Sequence, residues 1–312
     1  MLTLVVRRLL LAIPTIVVLT ALLFFCVSSL LGSPAGMMLG QDASPASIAA
    51  LNAKFGFDKP VWQQYLNWMA AAFGGDFGRS YQTQQTVAAA ILPAIPVTLE
   101  LAAWSMLFAT LAALGVNTLP FGRRGLVPAI SAVSLFGITV PNFMLGITLI
   151  FVLCVELQWL PTTGWVPWSD GALVHLRHMI LPVLTLSAYF FGVFTIVYRA
   201  EFKDVMNRLY IHAARAKGLS ESRVAFRHAL PNAALPVITF VGLSMGQLTG
   251  GAVVTETVFS MPGIGRLFVN AISGHDFPVM LAIGIMIVTG VVVMNLLADI
   301  AYMVVNPQIR FD

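Results

Sequence analysis

The sequence predicts an all-α polytopic membrane protein with about six transmembrane helices, of the kind built as a single domain, and three observations carry that prediction. Of 312 residues, 58% are hydrophobic and only 10% are charged. A soluble globular domain carries roughly 25% charged residues, so this chain lacks the charge to cover its own surface in water. Apolar stretches long enough to cross a bilayer recur along it. They are continuous rather than alternating, and only helices and closed barrels satisfy their backbone in lipid, which leaves helices.

The predicted spans cover residues 9–31, 95–119, 127–155, 178–198, 235–258 and 279–304. Arg7 and Arg8 ahead of the first give it the outline of a secretory signal. Signal cores run roughly 7–15 apolar residues and precede a small-residue cleavage site; this run is longer and no such site follows, so it reads as a retained helix. The long loop 32–94 sets Ile48, Leu51, Phe55, Val61, Tyr65 and Trp68 among polar residues at near-helical spacing. That spacing predicts one or two amphipathic helices on the outer face, whose plainest role is to cover apolar surface. A short turn at Arg123-Arg124 leads to the third span, where Pro141-Asn142 predicts a kink and could bring an amide into a cavity. Beyond it lie a Trp- and Pro-rich loop (157–177), a charged loop (199–233) and a loop holding Pro262-Gly263 (259–278).

Lys and Arg orient the chain. With a cytoplasmic N-terminus, the inner side holds Arg7, Arg8, Arg123, Arg124, Arg199, Lys203, Arg208, Arg215, Lys217, Arg223, Arg227 and Arg310, while the outer holds Lys54, Lys59, Arg79, Arg177 and Arg266. This 12-to-5 asymmetry puts both termini in the cytoplasm. Trp159, Trp165 and Trp168 then gather at the outer interface, where amphipathic rings prefer to sit.

Carboxylates inside spans are costly and stand as functional candidates by default. Glu100 and Glu256 fall near the outer helix ends, Glu156 at the outer interface and Asp299 near the inner end of the last helix. Glu100, Asn142, Glu256 and Asp299 are the candidate lining of a solute path. Glu100 is the candidate contact for a cationic ligand, and Glu256 is equally explained by a structural hydrogen bond or an ion pair with Arg266. Cys26 and Cys154 lie in apolar runs, which supports no disulfide framework. His175 and His178 have i, i+3 spacing, but two histidines without further ligands make no metal site, and none is assigned. No catalytic constellation is present, and the basic residues flank spans rather than forming a nucleic-acid face.

The segment 201–232 combines charge with helical pattern. Tyr210, Ala213 and Ala214 share a face at i, i+3, i+4, Gly218 breaks the helix as a C-cap glycine does, and Pro231 marks entry to the next span. A helix–turn–helix on the cytoplasmic surface follows. Small alanines would let another protein approach closely while Arg215 and Lys217 offer it charge; topological anchoring by positive charge is the plainer reading.

The residues His212-Ala213-Ala214-Arg215-Ala216-Lys217-Gly218-Leu219, with nine residues between Gly218 and the following His228-Ala229-Leu230-Pro231, resemble the EAA loop of binding-protein-dependent ABC importer permeases. Ala214-Arg215-Ala216-Lys217-Gly218-Leu219 is closest to the dipeptide/oligopeptide/nickel branch. His212 stands where the usual pattern has Glu, and His228 where it has Ile. The likeness continues through Gly32-Ser33-Pro34 (the branch usually has Asp at the middle position), Gly56-Phe57-Asp58-Lys59-Pro60, Gly75-Asp76-Phe77-Gly78-Arg79-Ser80, Val97-Thr98-Leu99-Glu100-Leu101, the element from Glu256 to Arg266 that contains Pro262-Gly263, and Asn306-Pro307-Gln308-Ile309-Arg310.

This resemblance implies a permease of the bacterial inner membrane that forms half of a pathway for peptides or a similar small solute. It implies partners: a second homologous permease, two ATP-binding cassette subunits, and a periplasmic or lipid-anchored substrate-binding protein. Residues 32–94 would be periplasmic, and residues 199–233 would hold the coupling helix. ATP and Mg would bind in the partner ATPases and no cofactor in this chain, which is not itself an enzyme. In agreement, the sequence has no Gly-Lys dipeptide and so no P-loop. The same branch includes nickel, metal-chelate, opine, glutathione and oligosaccharide importers. The rival class is an ion-coupled secondary transporter, in which Glu100, Glu256 and Asp299 would relay protons or bind cations; a membrane scaffold that docks a soluble protein is a third.

Overall fold

The structure, a computed structural model, describes residues 2–30, 34–39, 44–118 and 125–305, and within these the side chains other than 2–9, 29–30, 34, 37–38, 54–55 and 298–305. Arg7, Arg8, the Gly32-Ser33-Pro34 element, Lys54, Phe55, Arg123, Arg124, Asp299 and residues 306–310 therefore lie, wholly or in their side chains, outside the described residues.

Helices account for nearly all regular structure among the described residues. In chain order they are α1 (Leu2–Leu30), α2 (Pro34–Leu39), α3 (Pro45–Phe55), α4 (Val61–Phe73), α5 (Val87–Ile91), α6 (Ala94–Thr118), α7 (Leu126–Thr139) and α8 (Asn142–Leu149). A π-helical segment (Ile150–Glu156) and a 3₁₀ turn (Trp168–Asp170) follow. The series continues with α9 (Ala172–Met206), α10 (Leu209–Ala216), α11 (Glu221–Val224), a second π segment (Ala225–Ala229), α12 (Leu230–Val258), α13 (Ile264–Ser273) and α14 (Phe277–Val305). Five stretches are each long and apolar enough to cross a membrane: Leu10–Ser28, Val87–Thr118, Ala172–Met206, Glu221–Val258 and Phe277–Leu297. The third predicted span is broken: Leu126–Thr139 and Asn142–Glu156 meet at 110°. Pro141 explains the break, since proline supplies no N–H to the helix ladder and steers the preceding residue, Val140, into extended backbone (ψ 126°).

The residues cluster into two compact units, Met1–Val97 with Gly263–Val293, and Thr98–Pro262 with Met294–Asp312. In the first, a core forms around Phe24 and Val27 of α1, Tyr65 of α4, Val87 and Ile91 of α5, Ala271 of α13 and Phe277 to Ile283 of α14. Phe24 is its hub, with ring centroids 5.6 Å from Tyr65, 6.0 Å from Trp68 and 5.8 Å from Phe277. The Tyr65 hydroxyl lies 3.0 Å from Thr20 Oγ1 and donates to the Val17 carbonyl at 3.1 Å, which satisfies a polar group inside an apolar interface. The expected amphipathic helices of the first loop are α3 and α4. Helix α13 presents Ile264, Leu267, Phe268 and Ala271 to the same core, an i, i+3, i+4, i+7 stripe.

In the second unit α9 is central. A Cβ added at Gly137 of α7 would run into the Ala188 carbonyl oxygen, and one at Gly192 of α9 into the Ser134 carbonyl oxygen, so only glycine permits this approach of α7 to α9. Glu100, near the start of α6, meets His175, near the start of α9 (2.9 Å), and Thr118, ending α6, meets Tyr198, late in α9 (2.5 Å). Helices α6 and α9 therefore run parallel. The chain leaving α6 must return to the first face before α9 begins, and residues 126–156 make that crossing. The bent pair is thus one broken span, and the candidate spans among the described residues number six. Thr98 meets Glu256 at 2.5 Å, which sets the end of α12 beside the start of α6 and makes α12 antiparallel to both.

Candidate functional site

The loop between α9 and α12 is the helix–turn–helix its sequence predicts. Helix α10 ends at Lys217 and Gly218 takes φ +77°, the left-handed conformation in which glycine has no steric penalty. Ser220 then caps α11, its hydroxyl accepting the Arg223 N–H. Arg215 and Glu221 close the turn with a two-pronged pair, Nε to Oε1 at 2.8 Å and Nη2 to Oε2 at 3.1 Å. At this exposure such a pair contributes about 0.3–1 kcal/mol; its larger effect is to fix the angle between α10 and α11.

The faces of α10 differ from expectation in one respect. Tyr210 and Ala213 are exposed, but Ala214 is buried together with Ile211, the residue three positions earlier. Ile211 carries the inward stripe, so Ala214 packs against its own chain and does not belong to the open face. That face consists of Leu209, 87% exposed, with Tyr210, His212, Ala213, Ala216 and Lys217. Leu219 is half-buried, Leu230 is half-buried and Pro231 is exposed at the entry to α12.

The second cluster lies where α6 and α9 begin and α12 ends. His175 is wholly buried. Its Nδ1 faces the Val166 carbonyl at 2.6 Å and its Nε2 faces Glu100 Oε1 at 2.9 Å, so the ring bridges the loop and the start of α6. Trp168 stacks on the imidazole with centroids 4.0 Å apart and donates its indole N–H to the same Glu100 oxygen at 2.8 Å. Glu256 is fully buried, with Thr98 Oγ1 donating to it. The loop 157–171 is drawn into this cluster by Gly164, whose N–H donates to the Phe259 carbonyl.

Of the four proposed path residues, the structure thus gives Glu100 and Glu256 in-chain partners. Asn142 is half-buried at the start of α8, beside Gly251 of α12, and the Asp299 side chain lies outside the described residues. His175 and His178 do not converge: His178 Nδ1 bonds the Val174 carbonyl of its own helix. Among the described residues no group of three metal-ligating side chains exists. The Glu100–His175–Trp168 linkage was not read from sequence, because 68 and 75 residues separate the partners. Asp276 was missed too. Its carbonyl accepts the Met280 N–H, which makes it the cap residue just ahead of α14, and its buried carboxylate accepts the Ser80 hydroxyl and the Tyr81 N–H. An Asp just ahead of an apolar run is a helix-start signal that would have found it. Burial first, and the Asp276 charge second, hold the Tyr81 phenol above its ordinary range, so it stays neutral.

Comparison with known proteins gives a consistent answer. Residues 105–311 match the family described as "Binding-protein-dependent transport system inner membrane component". Residues 1–102 match the N-terminal component of the same transport-system membrane proteins. The chain is 37% identical over 315 residues to the glutathione transport system permease protein GsiC of Escherichia coli (strain K12), with all of both chains covered. It is also 37% identical over 336 residues to the dipeptide transport system permease protein DppB of the same strain, with 99% of each covered.

Proposed function

The chain belongs to the binding-protein-dependent transport system inner membrane components, the permeases of ABC importers, and from that premise we propose how its parts divide the work. Residues 1–312 act as one transmembrane permease domain that supplies half of a pathway for a dipeptide, glutathione or similar small solute. The relatives GsiC and DppB support this substrate class. The other half comes from a second, homologous permease. Two ATP-binding cassette subunits bind ATP and Mg beneath, and a substrate-binding protein delivers solute from outside. The positive-charge asymmetry supports an inner-membrane orientation with both termini cytoplasmic, residues 32–94 periplasmic and residues 199–233 cytoplasmic.

The observation that carries the coupling assignment is the rigid, open face of α10. Leu209 is a large apolar residue held 87% exposed on a helix whose inward side is already filled by Ile211 and Ala214. With the exposed Tyr210 and Ala213 beside it on the same helix it forms an apolar patch, and such patches mark partner surfaces. We assign ATPase docking to His212, Ala213, Arg215, Ala216, Lys217, Gly218 and Leu219, with Ala214 setting the pose of the helix from beneath and Leu230-Pro231 passing its movement into α12. Closure of the ATPases on ATP would displace α10, and α9 and α12 would carry that displacement across the membrane. Asn142, at the break in the third span, is the retained candidate for a path residue, with Asp299. Glu100 and Glu256 act in this reading through the contacts that pin the outer ends of α6, α9 and α12, which removes the motive for an ion relay.

Replacement of Gly218 by Leu tests the assignment. The left-handed backbone costs a non-glycine residue roughly 1–2 kcal/mol and would swing α11 away from α10. Uptake should fall to background while membrane insertion and abundance stay normal. Normal uptake by Gly218→Leu would show that this loop is not the coupling element.

A further inference from the structure

Within the first unit, α1, α4, the loop 74–86 and the start of α14 line a half-open cavity of about 640 Å³, inside the roughly 300–1,000 Å³ range of small-molecule sites. Phe24, Phe57, Trp68, Phe77, Tyr81 and Phe277 line it in part, and most of the remaining lining is polar. Two opposite charges, Asp76 and Arg79, stand on the loop at its rim. Among the described residues neither forms an ion pair. One Asp76 oxygen accepts the Gly78 N–H and Arg79 Nη1 donates to the Gln84 carbonyl, so each retains unused capacity.

The loop is held ready. Ser80 and Tyr81 are tied to Asp276, Gln82 donates to the Gly274 carbonyl, and Val87 N–H donates to the Gly78 carbonyl. A site fixed before its ligand arrives loses less ordering entropy on binding.

We propose that this cavity is a ligand site for a small zwitterion bearing an apolar side chain, of the class of an amino acid or dipeptide. The aromatic side chains bury the apolar group, Arg79 takes the carboxylate, and Asp76 takes the ammonium group. The inference rests on the periplasmic placement of residues 32–94, and it adds to the importer a solute contact outside the helices that form the path.

The test is calorimetric titration of the full chain in phosphatidylcholine nanodiscs with alanyl-phenylalanine. Saturable binding is expected, weakened about tenfold by Arg79→Gln and by Asp76→Asn and weakened as much when N-acetylphenylalaninamide, which lacks both charges, replaces the dipeptide. Arg79→Lys, which keeps the cation, should recover most of the affinity; this separates loss of charge from loss of fold. Absence of saturable binding, equal binding of the blocked compound, or unchanged affinity in both charge variants overturns the proposal. Binding of lysophosphatidylethanolamine in place of the dipeptide also overturns it and identifies a lipid site. The titration uses the permease without its ATPases, so its failure leaves the coupling assignment intact, and failure of the Gly218 test leaves the cavity untouched.

Discussion

At His175 the structure concentrates three interactions in one buried ring: the Val166 carbonyl, the Glu100 carboxylate and the face of Trp168. Removing the ring takes away the partner of the Val166 carbonyl and one of the two partners of the Glu100 oxygen, which Trp168 still reaches, and leaving a buried acceptor unpaired costs about 1–3 kcal/mol. His175→Leu, close in volume but unable to donate, should therefore lower the thermal midpoint of the purified chain by several degrees, while His175→Gln, with one donor left, should fall between it and the wild type. Tryptophan fluorescence during heating reads this directly, because Trp165 and Trp168 border the ring. A wild-type midpoint in His175→Leu would mean that the cluster holds nothing together. By contrast, Arg215 and Glu221 are paired at the surface, where water and salt weaken the attraction, and the value of that pair lies in geometry.

Among elements, the crossing of α7 and α9 is the least tolerant of change. At Gly192 an added Cβ meets the Ser134 carbonyl and the Ile138 side chain together, and backbone cannot move aside as a flexible side chain can. Gly192→Val should cost more than the about 1–3 kcal/mol of ordinary overpacking and sharply reduce the folded protein recovered from membranes; Gly192→Ala should lie between. Immunoblotting of membrane fractions, with size exclusion in mild detergent, checks both. The spans themselves were readable because lipid leaves the chain one backbone solution, and apolar runs announce it. The ends of α9 were not: the apolar window 178–198 stops where Arg199 and Arg177 begin, yet the helix extends from Ala172 to Met206 because water-exposed turns continue a helix already nucleated. The αL turn at Gly218 was legible from the glycine itself. The burial of Ala214 was not, since Tyr210 and Ile211 are both plausible leaders of an α10 stripe and only packing chooses Ile211. The Ser80–Asp276 contact joins residues 196 apart, a pairing that one sequence cannot encode by spacing.

On the scale of the whole molecule, the parallel course of α6 and α9 makes a topological claim. Residues 157–171 and the loop carrying α10 must lie on opposite faces of the membrane. In a chain with Cys26 and Cys154 replaced by Ser, a cysteine at Ser169 should react with an impermeant maleimide in intact cells, and one at Ser222 only in inverted vesicles. Labelling of both from the same side would refute the six-span path.

The length of α9 has a consequence for its surroundings. Its 35 residues extend roughly 52 Å, well beyond a hydrocarbon core of about 30 Å. From Tyr198, clamped to Thr118, to Met206 the helix rises roughly 12 Å before α10 begins. With the edge of the core at Tyr198, where the apolar window ends, about 5–8 Å of that rise is taken up by the headgroup layer, so α10 lies within about one Debye length (roughly 8 Å at physiological ionic strength) of the charged headgroups. A protein arriving there meets the surface potential as well as the contour of the loop, and its grip should change with the share of charged lipid in the leaflet and with salt.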